Sequence, residues 1–384
     1  MEEATIQGLL LRILHATVNG TEDVSALAAE LDPETLVAVY RLAKKHELAQ
    51  LVSMFVRQGR VSLPAELAAK VQREELVSAY RNEQMKYAME QISEILDKAE
   101  IPYVPLKGSV LRPYYPDEGM RTSCDIDVLI HEEDLERAIA TLEAEEYRCG
   151  ERNYHDVSLY SPEKIHLELH FNIQENMDSL DSVLKDAWQY AEREKGSRYG
   201  FRPEFFVYHM YAHMAYHFMS GGCGIRSLLD IWVMEHRMGA SYSLAEELLQ
   251  RGGILLFAKE MSRIANLCFT EGETDGEADR ILKYIYSGGV YGSMENHIAV
   301  YKSEEKGTAH YLMRRLFLPY RDMTVSYPIL KKLPILLPFC WVARWVRALF
   351  GGKTKKLASE MTNAGSVADE TVSEIKQIRS RLGI

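Results

Sequence analysis

Residues 121–130 read Arg-Thr-Ser-Cys-Asp-Ile-Asp-Val-Leu-Ile and contain the pattern that decides the fold. Apolar residues alternate with and follow the two aspartates, which is typical of a β-strand. Residues i and i+2 of a strand project from the same face, so Asp125 and Asp127 are predicted to lie side by side. Such a carboxylate pair repels itself unless a cation neutralises it, and Mg²⁺ is the usual cation where phosphates also bind. The alternative is a solvated strand with alternating polar residues.

The segment upstream of this strand suits phosphate binding. Residues 101–111 predict a short apolar strand that ends in Lys107, Gly108 and Ser109, with a helix expected from about Leu111. Glycine at a strand-to-helix turn allows backbone to approach a ligand closely. A helix N-terminus presents N–H groups to phosphate, and the lysine adds a cation.

The segment downstream supplies further polar side chains. Residues 165–171 alternate as a strand in which Glu168 shares one face with His166 and His170. The chain therefore carries, in order, a phosphate-binding turn, a pair of carboxylates and a third carboxylate.

This order of motifs resembles that of the DNA polymerase β-type nucleotidyltransferase superfamily. Leu106-Lys107-Gly108, followed by Arg121 and Asp125-Ile-Asp127, is more similar still to a bacterial branch described as uncharacterised nucleotidyltransferases. The resemblance is clearest over residues 100–175. One departure is a gap between Ser109 and Asp125 that is longer than the superfamily's usual spacing. A looser match to the branch's helical region extends to about residue 235 and involves His213, His217, Gly224-Ile-Arg226 and Asp230.

The resemblance implies transfer of a nucleoside monophosphate from an NTP to a hydroxyl or phosphate acceptor, with release of pyrophosphate. Two divalent ions are expected, normally Mg²⁺ with Mn²⁺ as the substitute, and Asp125 and Asp127 would bind both. Glu168 would complete the site on the nucleophile side and could accept the hydroxyl proton. His170, on the same strand face, is the alternative third group.

Other site residues follow from the same resemblance. Lys107, Gly108 and Ser109 would surround the β- and γ-phosphates. Arg121 would either stabilise charge in the transition state or orient Asp125 through a salt bridge. The residues expected either to contact the acceptor or to be structural are His170, His213, His217, Arg226 and Asp230.

The helix that carries these histidines has two interpretations. His209, His213 and His217 recur every four residues and so share one helix face. They indicate either a metal-binding or nucleotide-facing stripe, or a polar-lined helix interface. Arg226 and Asp230, also four apart, could pair with each other on the next helix.

The acceptor is left open among a small molecule, a protein side chain and an RNA end. The net charge of −11 argues against a broad nucleic-acid surface and favours the first two. A hypothesis from a different class is a catalytically inactive nucleotide-binding scaffold or sensor that acts through its basic, tryptophan-rich C-terminal segment.

That basic segment stands out from an acidic chain. Residues 314–356 contain ten Lys and Arg and one acid, a charge of +9 that leaves −20 for the rest. Within it, Trp341, Trp345, Leu349 and Phe350 fall near one helix face. One interpretation is peripheral contact with an anionic membrane through residues 328–356. The alternatives are packing on the protein's own acidic body and a tRNA-contacting tail.

The overall pattern predicts an α+β fold, with a small mixed-sheet nucleotidyltransferase core between helical regions. The expected divisions are a helical region at 1–95, the core at 96–178, a helical domain at 179–300 and a basic amphipathic region at 301–384. Asp32-Pro33-Glu34 carries a helix N-cap signal. Beyond residue 178 only helices are expected.

Composition favours a reduced intracellular compartment. The five cysteines are scattered, odd in number and without a Cys-x-x-Cys pair, which does not suit a disulfide framework. The first residues, Met-Glu-Glu-Ala-Thr-Ile, lack a basic stretch before an apolar run. We therefore expect a cytoplasmic protein, with peripheral membrane contact as an addition.

Overall fold

A computed structural model describes most of the chain. The described residues are 3–20, 23–59, 61, 63–290, 292–303, 313, 316–320, 323–324, 327–350 and 368–384.

The N-terminal part is helical, as predicted. Its helices are α1 (Glu3–Asn19), α2 (Asp23–Glu30), α3 (Pro33–Lys45), α4 (Ala49–Gln58) and the long α5 (Ala65–Lys98). The predicted cap of α3 is confirmed, because the Asp32 side chain accepts a hydrogen bond from the Thr35 N–H at 2.9 Å. Proline at the first helical position loses no hydrogen bond there.

Seven strands form one mixed sheet. They are β1 (Tyr103–Pro105), β2 (Asp125–Ile130), β3 (Arg148–Arg152), β4 (Asp156–Tyr160), β5 (His166–His170), β6 (Ala191–Lys195) and β7 (Arg198–Phe201). Their order is β3-β4-β5-β2-β1-β7-β6, with β2 parallel to β5 and β1 parallel to β7. The α+β prediction is confirmed.

Alternation along the central strand separates two environments. Ile126, Val128 and Ile130 of β2 join an apolar cluster with α5 and with α7 (Leu135–Ala144). Leu129 faces the other way and joins the main hydrophobic cluster. Asp125 and Asp127 share the face of Leu129, so the helices behind the sheet leave them open to the other side.

The second half of the chain encloses that other side. After the short α6 (Gly108–Leu111) and α8 (Asp178–Leu184) come the helices α9 (Pro203–Met219), α10 (Ile225–His236), α11 (Glu246–Arg251), α12 (Leu255–Asn266), α13 (Gly276–Gly288) and α14 (Met294–Tyr301). They bury their apolar faces together with α1, α3 and α4 in one cluster. Helices from both ends of the sequence therefore make a single core.

Two further helices lie near the C-terminus. Helix α15 (Leu337–Phe350) belongs to a small separate cluster around Met323, Leu330 and Cys340. Helix α16 (Asp369–Leu382) returns to the main core through Ile375 and Leu382. No helix in the described ranges has both the length and the apolar character needed to cross a bilayer.

One expectation was wrong. The chain beyond residue 178 is not helical throughout, because the hairpin β6–β7 at residues 191–201 adds two strands to the sheet. Its strands are mostly charged and aromatic, so they lack the apolar alternation that predicts a strand. The turn residue Gly196 has a φ of +57°, which glycine adopts without strain.

Candidate active site

The two aspartates lie at the start of β2, beside β5. In the parallel ladder Asp125 is opposite His166 and Asp127 is opposite Glu168. Residues opposite each other in neighbouring strands project from the same face. The predicted strand and the shared face of Asp125, Asp127 and Glu168 are therefore present, and all three line one cleft of about 320 Å³.

Both candidates for the third group lie beside Asp127. His170 Nε2 donates to Asp127 Oδ1 at 2.9 Å and lies 3.6 Å from Glu168 Oε2. His170 is buried, whereas Glu168 is partly exposed to the cleft. The histidine is thus engaged with the aspartate, and the glutamate presents the more accessible oxygen atoms.

Lys107 is held against the same aspartate. Its Nζ lies 3.3 Å from Asp127 Oδ1. The Leu106 N–H donates to the Asp127 carbonyl oxygen, which anchors the turn to β2. Lys107 has a φ of +44°, a conformation that costs free energy for a non-glycine residue. The fold thus stores strain in the turn where the sequence predicts phosphate binding.

Charge in the site is arranged around Asp127. Burial alone would raise its pKa, but Lys107 and the hydrogen bond from His170 hold the pKa of Asp127 well below its usual range. Asp125 behaves oppositely, because burial and the charges of Asp127 and Glu168 raise its pKa. Burial opposes protonation of His170, yet hydrogen bonds to Asp127 and Glu168 raise its pKa to about 9. Asp125 therefore lies beside two other carboxylates whose negative charge disfavours its ionised form, and an added cation would relieve this repulsion.

Among the described residues, side chains that could hold a divalent cation form three groups, and two of these groups share Glu168. Of these two, Asp125, His166 and Glu168 form one, and Asp127, Glu168 and His170 form the other. The third group is His155, Asp156 and His170. In each group the ligand atoms lie within 4.8 Å of one another. Carboxylate oxygens suit Mg²⁺ and Mn²⁺, while imidazole nitrogens suit later transition metals. The oxygen-rich set and its unrelieved charge fit a hard divalent cation.

Arg121 pairs with a residue other than Asp125, the partner expected in one of its two predicted roles. It is buried, and its Nε donates to Asp230 Oδ1 at 2.8 Å rather than to Asp125. The Tyr115 hydroxyl donates to the same oxygen at 2.6 Å. The expected salt bridge to Asp125 is absent from the ion pairs of the described residues. Arg121 thus joins the loop before β2 to helix α10.

This arrangement explains Gly108. A Cβ atom there would lie 3.3 Å from Arg121 Nη1 and 3.4 Å from Ser123 Oγ. Contacts this short force the neighbours to shift, so glycine lets the guanidinium pack against the turn. Ser109, next in the chain, lies in α6 and lines the cleft. Helix α6 begins at Gly108, earlier than the predicted start near Leu111.

The expected pairing of Arg226 with Asp230 is wrong. Arg226 forms an ion pair with Glu47, at the end of α3, and Asp230 is taken by Arg121. Both residues of α10 line the cleft. The actual partners, Glu47 for Arg226 and Arg121 for Asp230, lie far away in the sequence, so helical spacing does not reveal them.

The histidines of α9 form the opposite wall of the cleft. His213 donates from Nδ1 to Glu175 Oε1 at 3.0 Å, and its Nε2 lies 3.2 Å from His217 Nε2. Burial, followed by the charge of Lys107, lowers the pKa of both histidines, to about 4 in His217. His209 is buried one turn earlier and also lines the cleft. The stripe therefore faces the site as uncharged imidazoles.

Two residues of this site were missed in the sequence. Burial raises the pKa of Glu175 to about 7, and its backbone N–H donates to Asp181 Oδ1 at 2.8 Å. His155 stacks on His170 with ring centroids 5.5 Å apart. Each stands in a loop without periodicity or motif, so no sequence signal marked it.

Comparison with known proteins gives one result that bears on identity. Residues 32–270 match the family described as uncharacterised nucleotidyltransferase. Neither the curated proteins nor the solved structures give a significant match. The match spans more than half of the 384 residues and includes the whole cleft except Val290. The chain therefore belongs to the uncharacterised nucleotidyltransferase family.

Proposed function

We propose that the protein transfers a nucleoside monophosphate from an NTP to a hydroxyl or phosphate of an acceptor, with Mg²⁺ as cofactor. Family membership supports nucleotidyl transfer in general. The observation that carries the specific proposal is the convergence of Asp125, Asp127 and Glu168 on one cleft, with Lys107 Nζ 3.3 Å from Asp127.

Asp125, Asp127 and Glu168 would hold the metal, as two ions of Mg²⁺ or, in its place, Mn²⁺. Bound there, the metal would neutralise the triphosphate and polarise the phosphorus that is attacked. His170 positions Asp127 by its hydrogen bond, which is the role that histidines and carboxylates next to metal ligands commonly have.

The reaction forms a bond between the acceptor oxygen and the α-phosphorus. The bond from that phosphorus to the bridging oxygen of the β-phosphate breaks, and pyrophosphate leaves. Glu168 accepts the acceptor's proton, because it offers the exposed oxygen atoms nearest the aspartates. Lys107, before α6, and Gly108 and Ser109, in its first turn, bind the departing phosphates. Arg121 is a positioning residue, because its ion pair with Asp230 holds the loop that leads into β2.

The acceptor side is the wall formed by α9 and α10. His213, His217 and Arg226 line it, and uncharged imidazoles donate and accept hydrogen bonds without attracting phosphate strongly. The net charge of −11 disfavours a long polyanion. We therefore favour a small molecule or a protein side chain over an RNA end as the acceptor.

We place this activity in the cytoplasm, on the ground that the five cysteines are free in the structure and two of them are exposed. Contact with an anionic membrane through residues 328–356 is compatible with it, since none of the described residues of that segment lines the cleft.

The test is thermal melting with ATP, CTP, GTP and UTP, each with and without Mg²⁺. A ligand at about 100 times its Kd stabilises a folded protein by roughly 2.7 kcal/mol. We expect a Mg²⁺-dependent rise in Tm with at least one nucleotide, which then becomes the donor in a screen of acceptors with pyrophosphate release as the readout.

The Asp127→Asn variant serves as the comparison. Loss of the Mg²⁺-dependent shift in that variant supports metal binding at the aspartates. A wild-type protein that melts at the same temperature with and without every nucleotide contradicts the proposal. A nucleotide-dependent shift without release of pyrophosphate favours the inactive nucleotide-binding scaffold.

A further inference from the structure

The C-terminal helical segment, residues 327–350, turns its tryptophans inward. Trp341 Nε1 donates to the Leu318 carbonyl and Trp345 Nε1 to the Leu316 carbonyl, both at 2.9 Å. Phe317 packs edge-on against both indoles. The tryptophan face that the sequence singled out is therefore occupied by this chain. The side chains of Leu349 and Phe350, expected on the same face, lie outside the described residues.

A different apolar surface of the same segment is exposed. Ile335 is 81% exposed and Phe339 71% exposed, values unusual for large apolar side chains. Phe339, Val342 and Val346 recur at helical spacing along α15 and form one stripe. We call this surface the apolar face; its members are Ile329, Leu333, Ile335, Phe339, Val342 and Val346. An exposed apolar stripe such as that of Phe339, Val342 and Val346, with further exposed apolar side chains just before it in the chain, marks an interaction site.

The charges around the apolar face have one sign. Residues 328–356 contain seven Lys and Arg (Lys331, Lys332, Arg344, Arg347, Lys353, Lys355 and Lys356) and no acid, a charge of +7. Because the whole chain carries −11, the remaining residues carry −11 − 7 = −18. Lys331, Lys332 and Arg347 are exposed, and Arg347 lies over the Tyr327 ring at 5.6 Å.

We infer that the apolar face inserts into the surface of an anionic membrane, with these cations among the lipid headgroup phosphates. A helix that combines an exposed apolar stripe with flanking Lys and Arg lies in the plane of such a surface. A second copy of the chain is a poorer occupant, because a twofold interface would bring the two +7 segments together. In the part of the chain that the structure describes, the acidic body leaves this face uncovered, because its six side chains are 46% to 81% exposed. The inference is independent of the proposed catalytic activity.

The experiment is sedimentation of the full-length protein with vesicles of phosphatidylcholine alone and of phosphatidylcholine mixed with phosphatidylserine. We expect the wild type to pellet only with the anionic vesicles and to be released by high salt, since screening weakens the attraction. Each basic residue at such a surface is worth about 1 kcal/mol, or about fivefold in partitioning. Lys331→Gln with Lys332→Gln should therefore weaken binding about 25-fold.

The apolar contribution is tested with Ile335→Ser and Phe339→Ser together. Binding should fall at least about tenfold, because serine at these two positions gains no favourable free energy when it moves from water into the apolar part of the bilayer. The matched control is Leu76→Ser with Tyr80→Ser, two residues of α5 that are 65% and 67% exposed, which should bind like the wild type. Circular dichroism and melting establish that each variant is folded, which is expected because all four side chains are exposed.

Three results would overturn the inference. The wild type could sediment equally with neutral and anionic vesicles. The Ile335→Ser, Phe339→Ser variant could bind anionic vesicles as the wild type does. Light scattering could show a wild-type dimer that this variant converts to monomer while neither protein binds vesicles, which would make the apolar face a self-association surface.

Discussion

At the scale of single residues, Asp127 is the most constrained group of the cleft. It accepts a hydrogen bond from His170 and lies beside Lys107, and these partners keep it ionised despite its burial. Asp125, two residues earlier, has no such hydrogen bond or ion pair with another described residue, so the two carboxylates have different environments on one strand face. A site that holds one carboxylate ionised and leaves its neighbour under repulsion is prepared for a cation.

Replacing Asp127 with Asn should reduce the rate of nucleotidyl transfer by about a hundredfold or more. Removing one group that stabilises charge in an active site usually lowers the rate by this much. The amide keeps the shape of the carboxylate and removes its charge. The measurement is the initial rate of pyrophosphate release with the nucleotide identified by melting. Asp178→Asn, which removes an exposed carboxylate outside the cleft, is the control and should keep the wild-type rate.

His46 should make the stability of the protein depend on pH. It is fully buried and accepts a hydrogen bond from the Ile225 N–H at 3.3 Å. Burial and the charge of Lys45 lower its pKa from 6.5 to about 4. Between these values the unfolded state binds a proton that the folded state does not, so the free energy of unfolding falls as pH falls. The full loss is roughly 3 kcal/mol at the low end of this window.

The check is the free energy of unfolding measured with urea at pH 7.5, 6 and 5. His46→Gln, which does not titrate, should lose less stability over the same range than the wild type. Equal losses in the two proteins would show that other groups carry the acid sensitivity.

At the scale of elements, helix α10 is joined to the rest of the site through two long-range ion pairs. Its Asp230 binds Arg121, in the loop before β2, and its Arg226 binds Glu47, after α3. The first pair is more deeply buried, with each side chain only 7% exposed. Helix α10 thereby connects the loop that leads into β2 to the N-terminal helices.

Asp230→Ala should destabilise the protein by about 3–5 kcal/mol, because it leaves the Arg121 guanidinium buried without its counter-charge. The Tyr115 hydroxyl loses its acceptor in the same substitution. Denaturant unfolding measures the effect. Glu136→Ala, which breaks the exposed pair with Arg152, is the control and should cost at most about 1 kcal/mol. A cost for Asp230→Ala no larger than that of the control would contradict the role assigned to the buried pair.

At the scale of the whole molecule, the C-terminal part divides into two pieces with different roles. Helix α16 packs Ile375 and Leu382 into the same core as α1 and α14. The described side chains of helix α15 contribute to a small separate cluster through Leu337, Cys340 and Trp341 and form part of the exposed apolar face. Helix α16 thus completes the main core, and helix α15 presents the apolar face.

Leu382→Ala should therefore cost about 2–5 kcal/mol of stability, the usual effect of removing a fully buried leucine side chain. Phe339→Ala should change stability by about 0.5 kcal/mol or less, since its side chain is exposed. Urea midpoints of both variants against the wild type give the comparison. Similar losses in the two would mean that α15 is packed as tightly as α16.

Much of the catalytic half was predictable from local pattern. The strand of Asp125 and Asp127 and the strand of Glu168 were predicted, and they appear as β2 and β5. Alternation along a strand is a property of adjacent residues, so it needs no knowledge of the rest of the fold. The hairpin β6–β7 lacked that alternation and was missed.

What the sequence by itself determined was which residues point the same way along one element. Strand periodicity placed Asp125 with Asp127, and helix periodicity placed His213 with His217. Only the tertiary structure decided which elements meet: Arg121 with Asp230, Arg226 with Glu47, His213 with Glu175, and the inward turn of Trp341 and Trp345. The reason is physical, because a side chain's direction follows from its own backbone, whereas its partner depends on how the chain topology brings separate elements together.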